Sequence, residues 1–200
     1  MRQPPLSLYF IRHGQTEWSL SGRHTGRTEI PLTAQGEDEA RALAPWLKPI
    51  KFARVFTSPW QRARRTCELA GLGPQAEPEP DLAEWDYGDY EGKRSFDIRR
   101  ERPHWNVFQD GCPGGETPAQ ISDRADRLIA HVSMMGGNVA LFSHGEFGPA
   151  MAARWIGLHV VEGQRLLLGT ASLSIMGYSA AHPEVRVIAL WNAAPACWLK

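Results

Sequence analysis

Cysteine is scarce in this 200-residue sequence, and no Cys-x-x-Cys pair occurs. Its three cysteines, Cys67, Cys112 and Cys197, are odd in number and widely spaced. Such spacing is typical of reduced thiols in a cytosolic protein and does not indicate a disulfide framework or a cysteine metal site. We therefore expect a cytoplasmic protein with free thiols.

Long apolar runs and an excess of either charge are also missing. No stretch approaches the ~20 apolar residues that span a membrane, and residues 1–5 do not begin the apolar core of a signal peptide. Lysine plus arginine and aspartate plus glutamate are 22 each, so the formal net charge is zero. A neutral chain argues against general nucleic-acid binding, which needs a basic surface. A local cationic pocket remains compatible with this balance.

What the sequence does contain is an alternation of strand patterns and helix patterns. Apolar runs predict strands at residues 8–11, 54–57, 139–143, 172–178 and 185–191, with a short strand possible within 74–80. Helices are predicted from a Thr33 cap to about Leu47, from a Ser58 cap with Pro59 at the first helical position to Ala70, from Thr117-Pro118 to about Met134, and over residues 146–156. Residues 17–30 and 105–117 are expected to be loops. The alternation predicts one α/β domain over residues 1–200, with three α/β/α layers and a mostly parallel sheet.

The first strand pattern ends abruptly at Arg12-His13-Gly14. Ligands of open α/β sheets bind beyond the carboxyl ends of the strands, so this pair stands where a ligand is expected. Arginine offers a planar fork of donors that suits phosphate oxygens, and histidine can act as a nucleophile near neutral pH. The pair therefore indicates a site for a phosphoryl group.

Two further segments supply what that pair lacks. The strand pattern at 139–143 ends in His144-Gly145, and Arg62 falls in the first turn of the helix that follows the second strand. Anions are favoured at helix N-termini, and two arginines can balance the charge of a phosphoryl group without a metal. We therefore expect Arg12, His13, Arg62 and His144 to surround one phosphoryl group.

The leaving alkoxide of such a reaction needs a proton. Glu84 lies between apolar residues, whose surroundings would favour its protonated form near neutral pH, so it is the candidate acid. A catalytic metal is not expected, because the histidines follow strand ends, no His-Glu-x-x-His spacing occurs, and the adjacent arginines would repel a cation.

Five ordered motifs resemble the histidine phosphatase superfamily, also called phosphoglycerate mutase-like. They are Arg12-His13-Gly14-Gln15-Thr16-Glu17-Trp18; Ser58-Pro59 with Arg62-Ala63 and Thr66; Leu82-Ala83-Glu84 with Tyr87-Gly88 and Glu91-Gly92; Pro113-Gly114-Gly115-Glu116-Thr117; and Ser143-His144-Gly145. Within the family, three segments look most like the fungal sedoheptulose bisphosphatase type: residues 18–26, residues 84–92, and Asp110-Gly111-Cys112 with Gly115-Glu116-Thr117.

The resemblance implies a role for each matching residue. His13 would be the phosphorylated nucleophile, Glu84 the proton donor, and Arg12, Arg62 and His144 the phosphoryl-binding groups. By the same resemblance His24, Thr25 and Tyr87 would contact a sugar. No cofactor is implied, and the expected partner is a small phosphorylated metabolite, most of all a sugar phosphate or bisphosphate.

The sequence departs from the family pattern at two places. Many members have Asn where this chain has Ser19, and some have a basic residue shortly after the second His-Gly, where this chain has Glu146. A second phosphate would be less well held there. The long insertion of the glycolytic mutases is absent, which favours hydrolysis over transfer. Two alternatives stay open: a phosphoglycerate mutase, and a non-catalytic module that binds a phosphorylated ligand.

Overall fold

The computed structural model describes residues 5–195, which form a six-stranded sheet with helices on both faces. The strands are β1 (Ser7–Arg12), β2 (Phe52–Thr57), β3 (Ala76–Pro78), β4 (Asn138–Ser143), β5 (Leu173–Tyr178) and β6 (Arg186–Ala193). Their order is β3-β2-β4-β1-β5-β6; β3, β2, β4 and β1 are parallel, and β5 and β6 join antiparallel. The predicted α/β fold with a mostly parallel sheet is confirmed.

Seven α-helices occur within residues 5–195, together with four short 3₁₀ segments. The helices are α1 (Glu17–Ser21), α2 (Ala34–Leu47), α3 (Gln61–Leu69), α4 (Ser95–Glu101), α5 (Val107–Asp110), α6 (Pro118–Ser133) and α7 (Phe147–Trp155). The 3₁₀ segments are Gly73–Gln75, Pro80–Leu82, Gly88–Tyr90 and Val160–Arg165.

The central strands are buried on both faces because successive side chains point to opposite sides of the sheet. Phe10 of β1 packs in the core that contains residues of α6 and α7, whereas Ile11 packs in the core that contains residues of α2 and α3. Leu141 and Phe142 of β4 divide in the same way. One hydrophobic core therefore packs against each face of the sheet and holds the central strands in place.

Two predicted helix caps are confirmed. The Thr33 side chain accepts a hydrogen bond from the Gly36 N–H at the start of α2. Thr117 and Gln120 form a reciprocal capping box at the start of α6, where Pro118 is the first helical residue. These caps satisfy backbone N–H groups that a helix leaves unpaired at its first turn.

The predicted Ser58 cap is wrong. Helix α3 begins at Gln61, and its cap residue Trp60 makes no capping hydrogen bond with its side chain; the Gln61 N–H donates instead to the Glu29 carboxylate at 2.9 Å. The Ser58 hydroxyl accepts from the Trp60 N–H at 3.3 Å, before the helix begins, and also lies 2.7 Å from Nε2 of His144.

The two segments expected to be loops each contain a short helix. Helix α1 lies within residues 17–30, and its capping box joins Thr16 to Ser19. Helix α5 lies within residues 105–117, where the Asn106 side chain accepts from the Phe108 N–H. Both are too short for the periodicity of apolar residues to reveal them.

Cys67 and Cys112 are buried free thiols, as expected, and Cys197 lies outside the described residues. Burial raises the pKa of each of these two thiols to about 12, so neither forms a thiolate readily. Across residues 5–195, no helix combines the length and apolar character needed to cross a membrane.

Candidate active site

The ends of β1 and β4 bring the two predicted histidines together. The strands pair in parallel with Arg12 opposite Ser143, so the next residue of each strand is a histidine at the same edge of the sheet. The ring centroids of His13 and His144 are 5.2 Å apart. Their closeness follows from the strand register, which the sequence motifs alone do not specify.

His13 is held in a single, uncharged form. Its Nδ1 lies 2.7 Å from the carbonyl oxygen of Gly14, a group that can only accept, so Nδ1 carries the proton. Burial, followed by the charges of Arg62 and Arg12, lowers the pKa of His13 well below its usual value. Nε2 has no hydrogen-bond partner among the described residues and keeps its lone pair, as a nucleophile requires.

The backbone after His13 is anchored by helix α3. The Gly14 N–H donates to the Thr66 hydroxyl at 3.0 Å, and that hydroxyl donates to the Arg62 carbonyl. A Cβ on Gly14 would lie 2.3 Å from the carbonyl oxygen of Gly36, so only glycine fits between the two backbones. The Gly14 carbonyl that orients His13 is therefore fixed from two sides.

His144 is fully buried, and both of its ring nitrogens have partners. Arg62 donates from Nε to Nδ1 at 3.2 Å, which leaves the proton on Nε2, where it faces the Ser58 hydroxyl at 2.7 Å. Burial, followed by the charge of Arg62, lowers the pKa of His144 well below its usual value. The ring is thus neutral and held in one orientation.

Arg62 is also fully buried and organises the loop before α2. Its Nη1 donates to the Thr28 carbonyl at 3.1 Å, and its Nη2 donates to the carbonyls of Thr25 and Gly26, each at 2.9 Å. With Nε on His144, four hydrogen bonds occupy most of the guanidinium. Its charge acts on the site from behind His13.

Arg12 directly precedes His13 at the end of β1. Its Nη1 donates to the Leu168 carbonyl, and its buried Nε has no hydrogen-bond partner in the described chain. A Cβ on Gly145 would lie 3.0 Å from Arg12 Cζ, so the glycine after His144 leaves room for the guanidinium. An arginine with an unused buried donor beside a nucleophile is suited to binding an anion.

Glu84 reaches the site from the 3₁₀ segment Pro80–Leu82. Its side chain is buried, as the apolar neighbours suggested. However, its Oε1 accepts from the N–H groups of Trp85 and Phe147 at 2.9 and 2.8 Å, and its Oε2 accepts from that of Glu146 at 3.0 Å. Backbone donors, and not apolar surroundings alone, therefore set the position of this carboxyl.

One cavity of about 390 Å³ collects most of these groups. Its wall includes the predicted site residues Arg12, His13, His24, Thr25, Glu84 and Tyr87. Arg62 and His144 are absent from the wall because both lie fully buried behind it. Their direct contact with a phosphoryl group stays a prediction, whereas their contacts with each other are part of the structure.

The predicted sugar-contacting residues lie together on this wall. The His24 ring stacks on Tyr87 with centroids 4.5 Å apart, and its Nε2 lies 3.1 Å from the Ser95 hydroxyl. Burial, together with the charge of Arg99, lowers the pKa of His24 to about 4, and burial raises that of Tyr87 well above 10. Both rings are therefore neutral near pH 7; their planes are tilted by 32°, and the Tyr87 side chain is nearly fully buried behind the more exposed His24.

In the described part of the chain, no three side chains of His, Cys, Asp or Glu are grouped so as to hold a metal ion.

A sequence comparison with protein families matches residues 8–191 to the histidine phosphatase superfamily, branch 1. The chain belongs to the histidine phosphatase superfamily. The matched region contains His13, His144, Arg62 and Glu84, so all four residues lie within the part of the chain that the family shares.

Individual relatives agree with this assignment. A curated acid phosphatase of Mycobacterium tuberculosis is 41% identical over 187 residues, 92% of each chain. A sedoheptulose 1,7-bisphosphatase of Saccharomyces cerevisiae is 37% identical over 184 residues, 75% of this chain and 67% of that one. A solved structure of an open reading frame from M. tuberculosis superposes with a TM-score of 0.88 at 39% identity, covering 94% of this chain and 98% of the other.

Several residues that organise the histidine phosphatase site have no role in the sequence prediction. Glu91 accepts hydrogen bonds from the N–H groups of Gly26 and Thr28, and so shapes the loop whose carbonyls receive Arg62. The Glu91-Gly92 motif indicated the family, but it did not predict that the Glu91 carboxylate holds this loop. Only the tertiary structure shows which backbone the carboxylate reaches.

Arg124 supports Glu84 from the outside of the site. Its guanidinium donates to the carbonyls of Ala83 and Glu84 at 2.6 and 3.2 Å, and it pairs with the Glu116 carboxylate at 2.9 Å. Glu116 in turn accepts from the Asp86 N–H at 2.8 Å. The Gly-Gly-Glu-Thr motif of the family therefore positions the acid segment.

Glu146 is the remaining carboxyl on the cavity wall. Burial, followed by the charge of Glu84, raises its pKa to about 7, although Arg12 acts in the opposite direction. Its carboxyl group has no hydrogen bond or ion pair among the described residues. The chain thus places a carboxyl that titrates near neutral pH beside the predicted acid.

Proposed function

We propose that this histidine phosphatase hydrolyses a small phosphorylated metabolite, most of all a sugar phosphate, through a phosphohistidine at His13. It would act in the cytoplasm, as one domain and without a metal. The observation that carries the proposal is the state of His13: a neutral ring with its proton held on Nδ1 by Gly14 and its Nε2 free on the cavity wall beside Arg12 and Glu84.

In the first step, Nε2 of His13 forms a bond to phosphorus while the bond from phosphorus to the leaving oxygen breaks. Protonated Glu84 gives its proton to that oxygen, so the product leaves as an alcohol. Arg12 balances the charge on the phosphoryl oxygens, and the buried Arg62 adds to the positive potential from behind. The proton remains on Nδ1, where it is donated to the Gly14 carbonyl, so Nε2 is the nitrogen that carries the phosphoryl group in the intermediate.

In the second step, water attacks phosphorus and the bond to Nε2 breaks. Ionised Glu84 takes the proton from the attacking water, which restores both the acid and the free imidazole. The overall reaction consumes one water and releases inorganic phosphate. The hydrogen bonds from Trp85, Phe147 and Glu146 keep the Glu84 carboxyl in place for both steps.

The preference for a sugar rests on the neutral, polar part of the wall. The neutral His24 ring packs on Tyr87 with centroids 4.5 Å apart, and Ser95 and Thr25 line the same cavity. The yeast relative acts, by its name, on a sugar bisphosphate.

The test is to trap the intermediate. The enzyme is mixed with sugar phosphates, phosphoglycerates, nucleotides and phosphopeptides in the presence of a chelator, then denatured in alkali and analysed by mass spectrometry. We expect inorganic phosphate release and a phosphorylated His13 peptide in the wild type, and neither in His13→Ala. The control is His182→Ala, since His182 is exposed and lies outside the cavity lining; it should behave as wild type.

Other outcomes would overturn the proposal. Turnover by His13→Ala would mean that a different nucleophile acts, and loss of turnover with chelator would mean that a metal is required. Movement of labelled phosphate between positions of phosphoglycerate without release would indicate a mutase. Tight binding of a phosphorylated ligand with no turnover across the panel would indicate a binding module.

A further inference from the structure

Besides Arg12, two further arginines line the cavity, and both lie far from Arg12 in the sequence. Arg23 follows helix α1, and Arg99 lies on helix α4. The Arg99 Nε donates to the Trp105 carbonyl at 2.9 Å, which fixes the guanidinium plane and leaves its two Nη groups available. Within residues 5–195, neither those Nη groups nor any part of the Arg23 guanidinium has a hydrogen bond or an ion pair.

The two arginines combine a place on the cavity wall with a lack of carboxylate partners, and two nearby arginines differ from them in both respects. Arg94, one turn before Arg99, pairs with Asp97 at 2.7 Å. Arg27, in the same loop as Arg23, pairs with Asp86 at 2.8 Å. Arg27 and Arg94 are therefore paired with carboxylates, whereas Arg23 and Arg99 lie on the cavity wall with guanidinium N–H groups available to a ligand.

The part of the wall that holds Glu84 and Glu146 is less suited to a second anion. Glu146 stands there beside Glu84, and it carries a negative charge once the pH rises above about 7, where its raised pKa lies. A second phosphate placed near Glu146 would meet two carboxyls and be repelled. Besides Arg12, the arginines on the wall are Arg23 and Arg99, so these two are the cations available to a second anion.

We propose that Arg23 and Arg99 form a second anion subsite, which binds a second phosphate of the substrate while the first lies against Arg12 and His13. The inference rests on the proposed function and narrows its substrate class to sugar bisphosphates. Guanidinium groups bind phosphate through paired N–H donors, and both arginines have such donors free. His24 and Ser95, which share this cavity wall, would contact the sugar hydroxyls between the two phosphates.

The test compares substrates that differ by one phosphate: fructose 1,6-bisphosphate against fructose 1-phosphate and fructose 6-phosphate. We expect the double variant Arg23→Gln/Arg99→Gln to lower kcat/KM for the bisphosphate about 10- to 100-fold, as expected for the loss of charged hydrogen bonds, and to change that of the monophosphates less than about 3-fold. The control is Arg100→Gln, because Arg100 is an exposed neighbour on α4 that does not line the cavity.

A binding measurement separates this inference from the proposed function. Calorimetry with His13→Ala should show tighter binding of the bisphosphate than of either monophosphate, and the two added substitutions should remove that difference even if no substrate is turned over. Equal losses for mono- and bisphosphates, or an equal loss in Arg100→Gln, would overturn the second subsite. If wild type releases phosphate from the monophosphates without preferring the bisphosphate, the subsite is wrong and the phosphatase assignment stands.

Discussion

Arg62 donates a hydrogen bond from Nε to Nδ1 of His144 at 3.2 Å, and this contact decides the tautomer of a buried histidine. Because a guanidinium cannot accept, the His144 proton must lie on Nε2, where it faces Ser58. The same guanidinium holds three carbonyls of the loop at residues 25–28. One side chain therefore couples the shape of the substrate loop to the orientation of the second histidine.

Arg62→Lys should destabilise the protein and reduce turnover. An ammonium group offers three donors on a flexible stem and cannot reproduce four hydrogen bonds in a planar fork, so buried carbonyls lose their partners. We expect the free energy of unfolding to fall by about 2–4 kcal/mol, since each buried unsatisfied group costs about 1–3 kcal/mol. Urea denaturation measures the stability, and phosphate release from a good substrate measures the activity.

The matched control is Arg64→Lys on the same helix. Arg64 is exposed, so this change should leave stability within about 0.5 kcal/mol of wild type. Equal behaviour of the two variants in both measurements would show that the buried hydrogen bonds of Arg62 do not organise the site.

Glu84→Gln should slow poor leaving groups more than good ones. An amide cannot donate a proton as a carboxylic acid does, and only a poor leaving group needs that proton in the first step. We expect kcat/KM to fall about 100-fold or more for an alkyl phosphate and about 10-fold or less for 4-nitrophenyl phosphate. Steady-state phosphate release from the two substrates gives the comparison.

The control for Glu84 is Asp89→Asn, a change at an exposed carboxylate in the nearby 3₁₀ segment Gly88–Tyr90. It should leave both rates near those of wild type. If Glu84→Gln reduced the rates of alkyl and nitrophenyl phosphates by the same factor, Glu84 would be a structural carboxyl and another group would be the acid. A thermal melt of the variant shows whether the amide has disturbed the backbone donors.

Glu146→Gln should make stability less dependent on pH. Folding raises the pKa of Glu146 from 4.5 to about 7, so the folded protein binds the extra proton between these values and its stability falls as the pH rises through them. Glutamine has no proton to lose. Variant and wild type should therefore have similar Tm values at pH 5. At pH 8 the variant should have the higher Tm, and its free energy of unfolding should exceed that of the wild type by about 2 kcal/mol.

The same substitution should flatten the pH profile of KM. In the wild type, ionisation of Glu146 near pH 7 places a negative charge beside the phosphoryl site, where it opposes Arg12 and adds to Glu84. KM should therefore rise from pH 6 to pH 8 in the wild type and change less in the variant. Parallel KM profiles, with a constant difference in Tm, would show that Glu146 does not titrate in this range.

The strand and helix patterns predicted the order of elements and the edge at which the site lies, because both depend on local periodicity and on the rule for parallel sheets. They did not predict α1 or α5, whose few residues form single turns held by capping side chains. The Ser58 cap was wrong for a different reason. The helix begins at Gln61, two residues later than predicted, so the Ser58 hydroxyl accepts from the Trp60 N–H before the helix, and the folded chain also brings His144 to it from the end of another strand.

The sequence by itself determined which residue types follow the strands, and from these it predicted a phosphoryl site with a histidine nucleophile and a carboxyl acid. The tertiary structure alone decided how those groups are charged and which of them face the cavity. Arg62 and His144 lie behind the wall, Glu84 is held by backbone N–H groups, and Glu146 stands unpaired beside it. Burial and distance between charges set these properties, and both arise from packing between segments far apart in the chain.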